Sequence, residues 1–257
     1  MKGFIETIKN IFRIEDLRNR ILFTLGMIAI YRLGKYITLP GIDPAQLGML
    51  KQQTSQGIMG LLDMFSGGAF SSASVFALGI MPYISASIVV QLLGIAIPYF
   101  QRLQREGESG RRKINQITRY LTVGILVLQA PSYLANLHMQ LPETAFLVKG
   151  IFFQISSVII LTSGTMFVMW LGERITDKGI GNGISLIIMI GIIARLPFAT
   201  VAEFGSRLDG SGGLVAFLAE IIFLFIVILG TILLVQGTRR VPVQYAKRII
   251  GNKQYGG

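Results

Sequence analysis

The chain has 257 residues, 52% of them hydrophobic and only 14% charged, with a mean hydropathy of +0.61. Soluble domains carry about 25% charged residues, so a soluble domain is excluded and an integral membrane protein is implied. The lack of cysteine excludes disulfides and thiolate metal sites, and the net charge of +11 must reflect topology, anionic lipid or nucleic acid.

In chain order, residues 1–20 predict an interfacial cytoplasmic helix and not a cleavable leader. Phe4, Ile5, Ile8, Ile11 and Phe12 share one helical face, with Lys2, Lys9 and Arg13 elsewhere. A first crossing is predicted over 21–39, with Arg32 and Lys35 near its far end, where long side chains snorkel to headgroups. Next come 38 residues, 64–101, without a charged side chain. One crossing needs about 20, so the run is too long for one. It is also awkward for two, because Ser66, Gly67, Gly68, Ser71, Ser72 and Ser74 make its first third small and polar. The pattern predicts a half-inserted helix and glycine turn over 57–74, then a full span over 75–100. Irregular backbone at membrane depth survives only inside protein or along a water-filled cavity, which implies a cavity with a movable insert.

Within the second span Ile80 and Ile84 lie four residues apart on one face. Pro82 between them should bend the helix. Gly79, Ser85, Ala86 and Ser87 allow close helix approach, and Gln91 adds an amide in mid-bilayer. On pattern alone Ile80 and Ile84 read as residues packed on lipid or neighbouring helices.

Beyond it the sequence predicts a basic cytoplasmic loop over 101–119, spans over 120–137, 150–171, 180–201 and 214–236, and a second basic loop over 237–257. The fifth span has only 16 uncharged residues, 179–194, and belongs beside other helices. It is preceded by Gly179-Ile-Gly181-Asn-Gly183, read as a tight turn in which Asn182 caps the next helix. In the last loop 241–246 alternate like a strand and predict an ordered hairpin.

Six crossings put both termini on one face, and that face holds 18 of the 24 Lys and Arg residues. The positive-inside rule makes it cytoplasmic. The basic loops, which include Arg111, Arg112, Lys113, Arg239, Arg240, Lys247 and Arg248, admit two readings. One is topology plus lipid attraction, about 1 kcal/mol per basic residue; the other is docking of RNA phosphates or an acidic protein surface.

Enzyme chemistry finds no support. His138 is a lone histidine placed in a short far-side loop, Glu220 is the only acid within a span and reads as an interfacial carboxylate, and 107–113 lack phosphate-loop spacing. No catalytic residue, cofactor or metal is expected.

Several segments then resemble the bacterial SecY family. They are Met64-Phe-Ser-Gly-Gly-Ala69, the run from Phe76 through Met81-Pro-Tyr-Ile to Ser87, Glu106-Gly-Glu-Ser-Gly-Arg-Arg-Lys113, and Met169-Trp-Leu-Gly-Glu173 followed by Gly179-Ile-Gly-Asn-Gly-Ile184. The resemblance is collinear along the whole chain. It implies an all-α polytopic protein of the cytoplasmic (inner) membrane, with six transmembrane helices and a half-inserted plug helix. These would form one half of an inverted-repeat ten-span fold, with the N-terminus cytoplasmic. It further implies a protein-conducting channel that passes unfolded secretory polypeptides and releases membrane proteins laterally.

By the same resemblance Ile80, Ile84 and Ile188 supply part of a hydrophobic pore ring, and Leu61, Leu62, Met64, Phe65, Gly67 and Gly68 belong to the plug. Pro82, Ser85, Ser87 and Gln91 lie along the lateral gate. The seven basic residues named above would dock the SecA motor ATPase and the ribosome, through ribosomal RNA and proteins. Further implied partners are the SecE and SecG subunits, signal sequences, nascent polypeptides and anionic lipids. Because the chain stops at Gly257, after the sixth span, the carboxy-terminal half of the same protein is an expected partner too. The competing reading is half of a small-solute secondary transporter, also built from broken helices and inverted repeats. That reading calls for polar or ionisable groups at the midplane, where this sequence is aliphatic.

Overall fold

The computed structural model describes residues 13–48, 50, 57–148, 150–209, 213–238, 248–250 and 253–255. The expected amphipathic stretch from Phe4 to Phe12 lies outside them, as do Arg239, Arg240, Lys247 and the alternating segment 241–246. The chain forms two compact units, Met1–Pro197 and Phe198–Gly257.

The first unit is helical: α1 (Glu15–Gly34), α2 (Gly57–Phe65), α3 (Met81–Ala96), α4 (Pro98–Arg105), α5 (Glu108–Gln140), α6 (Ile151–Lys178) and α7 (Gly183–Ile193). Helix α5 packs on α3, α4 and α6; α6 packs on α1 and α7; the short α2 rests on α7. Small residues set the closest approaches. A Cβ on Gly183 at the start of α7 would fall on the Gly172 carbonyl of α6, and one on Gly164 would fall on the Val75 carbonyl. Asn182 caps α7, its side chain accepting from the Ser185 amide at 3.1 Å, as its place before the apolar run leads one to expect.

Helix α8 (Leu196–Asp209) begins at the boundary between the units. The second unit continues with α9 (Gly213–Gln236) and an antiparallel pair, β1 (Arg248–Ile250) and β2 (Lys253–Tyr255), in which Arg248 faces Tyr255. Within this unit Arg207 bonds Glu203 at 2.9 Å and also pairs with Glu220, while Phe204 meets Phe217 edge-on at 5.2 Å. Glu220 is half-exposed, like an interfacial carboxylate, but it has a partner.

Among the described residues four helical stretches are long and apolar enough to cross a bilayer: Glu108–Gln140, Ile151–Lys178, Gly183–Leu208 and Gly213–Gln236. Helices α3 and α4, bent by 100° at their junction, make a fifth if taken together. Helix α1 carries Glu15, Asp16, Arg18, Arg20 and Arg32 and falls outside that group.

Several expectations need correction. The basic stretch 101–119 is not a loop. Its first residues finish α4, residues 106 and 107 turn, and the rest forms the first turns of the 33-residue α5. Polarity suggested a loop, but Arg, Lys, Gln and Glu are good helix formers. Glu108 opens the helix and bonds Arg112 one turn on at 2.7 Å. The Gly-Glu-Ser-Gly motif serves the reversal: Gly107 adopts φ +71°, and Gly110 lies where a Cβ would strike the Leu103 carbonyl.

Pro82 does not kink a span. The helix begins at Met81, so Pro82 sits in its first turn, where no backbone donor is required. His138 lies in the last turn of α5 and not in a loop, with its ring stacked on Phe146 at 4.1 Å.

Candidate functional site

Residues 66–80, between α2 and α3, form a chain of turns that is buried almost throughout. Buried backbone must find internal partners, and the serines and glycines supply them. The Gly68 amide donates to the Asp63 carbonyl at 2.7 Å, the Phe70 amide to the Ser66 hydroxyl at 3.1 Å, and the Phe76 amide to the Ser74 hydroxyl at 3.2 Å. Gly67, Gly68 and Gly79 take φ of +66°, +87° and +55°, conformations that glycine adopts without strain. The Val75 amide donates to the Ile37 carbonyl and the Leu39 amide to that of Ala73, both at 2.9 Å, stitching the segment to the strand-like exit of α1.

Two tyrosines clamp it from the flanking helices. The Tyr133 hydroxyl on α5 donates to the Phe70 carbonyl at 2.9 Å, and the Tyr31 hydroxyl on α1 to the Ser66 carbonyl at 3.2 Å.

The charges gather at the glycine turn. Asp63, 2% exposed at the end of α2, accepts from the Ser71 amide at 2.8 Å and pairs with Arg195, just past α7. Arg32 donates to the Gly67 carbonyl at 3.3 Å, and a Cβ on Gly68 would stand 2.8 Å from the Lys35 amine. Arg32 and Lys35 therefore do not snorkel outward; both are half-buried and reach inward to the turn.

The three candidate ring residues meet one apolar cluster. Ile80 is buried with Tyr31, Phe76, Val168, Leu171, Ile175 and Ile187, and Ile84 and Ile188 pack against that cluster while staying half-buried. Of the residues assigned to the plug, Gly67 and Gly68 are buried and Leu62 is half-buried; Leu61, Met64 and Phe65 are exposed on one face of α2. Among the gate residues Pro82 is buried, Ser85 and Ser87 are half-buried, and exposed Gln91 donates to the Ser87 hydroxyl at 3.2 Å. Ser85 also lines a cavity of about 310 Å³ with Met59, Leu62, Gln129, Ser132 and Asn136.

Arg111, Arg112 and Lys113 are exposed on the first turns of α5, and Arg248 lies in β1. Among the described residues no three His, Asp or Glu side chains converge as metal ligands. Sequence reading missed Asp63, Arg195, Tyr31 and Tyr133 as partners of the turn. The only signal was that Asp63 and Arg195 each bound an uncharged run.

The profile of the SecY family matches residues 74–257. The chain belongs to the SecY family. Protein translocase subunit SecY of Streptomyces scabiei is 45% identical over 96% of this chain and 58% of its own length. That of Corynebacterium glutamicum is 44% identical, covering 96% of this chain and 57% of the relative. The chain thus spans less than three fifths of the length of these curated SecY relatives. In fold it is similar to Sec61 in the canine ribosome–channel complex from the endoplasmic reticulum (TM-score 0.54, 19% identity, 88% of this chain, 49% of that one). It is also similar to a SecY structure whose plug domain is described as stabilising the closed state and maintaining a membrane seal (TM-score 0.54, 18% identity, 84% and 46%).

Proposed function

We propose that this chain forms one wall of a protein-conducting channel and carries its plug. The observation that carries the reading is the joint placement of a buried, hydrogen-bonded turn segment beside an aliphatic cluster that includes Ile80, Ile84 and Ile188. A ring of branched aliphatic side chains offers an ion no polar partner, so it resists leakage, yet it yields around an extended polypeptide. Half-burial of Ile84 and Ile188 leaves part of each side chain free to face a passing chain. Membership of a translocase family supports this reading over a solute transporter.

In the complete protein α1 serves as the first of six crossings, and the N-terminus and basic segments face the cytoplasm. SecE, SecG, SecA and the ribosome are the partners this reading entails, in a cytoplasmic membrane that supplies anionic lipid. The channel is passive, so the energy for movement comes from a motor or from synthesis.

Photocrosslinkers placed at the half-buried Ile84 and Ile188 of the full translocon should capture a stalled translocating chain. Silence at both positions, with the chain demonstrably engaged, would refute the assignment. A separate expectation concerns the exposed start of α5. Reversing Arg111, Arg112 and Lys113 together to Glu should weaken ribosome or SecA binding roughly tenfold or more in a salt-dependent way, as expected for an exposed charged patch. Membrane insertion should be retained, and an unchanged affinity in a flotation or sedimentation assay would count against docking there.

A further inference from the structure

The glycine turn at the end of α2 is the meeting place of three cations and one buried carboxylate. Asp63 has a 3% exposed side chain, and Arg195 reaches it from the residue after the Ala194 cap of α7, with 40% of its own side chain exposed. The pair joins α2, the stretch proposed to move, to α7, a packed helix of the wall. Its neighbours are ordered around it: Ser71 donates to the second carboxylate oxygen, and Gly68 donates to the Asp63 carbonyl. Gly67 lets its backbone approach Gly191 on α7 closely, since a Cβ on Gly67 would lie 3.0 Å from the Gly191 Cα.

We infer that Arg195 is a plug-positioning residue, and that its ion pair with Asp63 is the latch holding the turn segment in the seat between α1 and α7. The inference rests on the channel reading and adds to it the charged contact that must break before the segment can leave. The physics favours a pair of this kind as a switch. A carboxylate stripped of water and then deprived of its partner becomes costly to keep buried, so the seated state depends on the pair. Arg195, with two fifths of its side chain exposed, can return to water when the segment moves. Arg32 and Lys35 also reach the turn, but they come from the end of α1, where Arg32 is engaged with the Gly67 carbonyl. Of the three, Arg195 alone, two residues past the end of α7, ties the segment to that helix.

Asp63→Asn keeps an acceptor for the Ser71 amide and removes only the charge; Arg195→Gln removes the partner; Arg195→Lys restores a cation. Each would be made in the full-length protein within its translocon complex. Two readouts apply: hydrogen exchange of the amides in 66–74, and resting ion leak of proteoliposomes. Asp63→Asn and Arg195→Gln should each speed exchange and raise leak about tenfold. The double variant should be no worse than either single one, because the two residues act through one contact, and Arg195→Lys should recover most of the protection.

Unchanged exchange in the single variants overturns the latch, as does multiplication of their effects in the double one. Faster exchange without added leak overturns it too, since the contact would then pin the turn without governing the seal. The channel reading has its own gauge, polypeptide transport by the unsubstituted complex. A failure there leaves the exchange result to judge the ion pair.

Discussion

Replacing Gly183 by valine should stop α7 from docking on α6 and lower the stability of the purified protein by about 1–3 kcal/mol or more, the usual cost of forcing bulk into a filled contact. A side chain at this position has nowhere to go. Its first carbon would overlap the Gly172 carbonyl and lie 2.7 Å from the Ile175 Cβ. The surrounding hydrogen bonds fix the same geometry from both sides: the Gly183 amide donates to the Thr176 hydroxyl at 2.9 Å, and the Ile180 amide to the Thr24 hydroxyl at 3.2 Å. Helix α7 carries Ile188 and Gly191 and ends just before Arg195, so its displacement would unseat the turn segment as well. Unfolding in detergent measures the effect, with Gly124→Ala as control. Gly124 has open space around it, and alanine in a helix interior should be neutral or stabilise by up to about 1 kcal/mol. Equal stability of the two variants would contradict the tight crossing.

The second large effect is expected at the aliphatic cluster. Ile188→Asp and Ile84→Asp, in the complete complex, should each raise resting ion leak by about tenfold or more, whereas Ile188→Leu should leave it unchanged. Insertion of an Asp at a helix centre costs about 2.5–3.5 kcal/mol. An apolar helix such as α7 can bear that, so the protein should still assemble while the proposed constriction is wetted. Ile80 is unsuited to the experiment: at 4% exposure it is part of the buried cluster, and a charge there would test folding instead. Leak that stays at the unsubstituted level in both Asp variants would remove these residues from the seal.

Much of the architecture was legible because apolar run length and glycine placement speak directly about membranes. The polar, small residues from Ser66 to Ser74 announced a break in helix, and the break is there. Its extent was not legible. Val75 to Leu78 are apolar and read as helix, yet Gly79 at φ +55° and the Ser74 hydroxyl bond to Phe76 hold them in turns until Met81. Placing the helix start too early made Pro82 look like a kink. The basic stretch 101–119 looks like a loop by its polarity, whereas its residue types suit the helices it forms. For Arg32 and Lys35 the sequence points to the headgroups, because nothing in their own segment reveals the carbonyl-rich turn that draws them inward. The pairing of Asp63 with Arg195 had no local signature at all: each residue marks the edge of a different apolar run, and only the tertiary fold brings them together.

The brevity of α3 has a consequence for the lipid around it. Its 16 residues rise about 24 Å at 1.5 Å each, and the chain then swings through 100° into α4. A typical hydrocarbon layer is about 30 Å thick. On the channel reading proposed above, acyl chains beside Ile88, Val89, Leu92 and Ile95, all exposed on α3, would compress by several ångströms to match it, at fractions of a kcal/mol per ångström of mismatch. A bilayer pinched at this face would present a thinner barrier to any hydrophobic segment released there, as the proposed lateral gate requires.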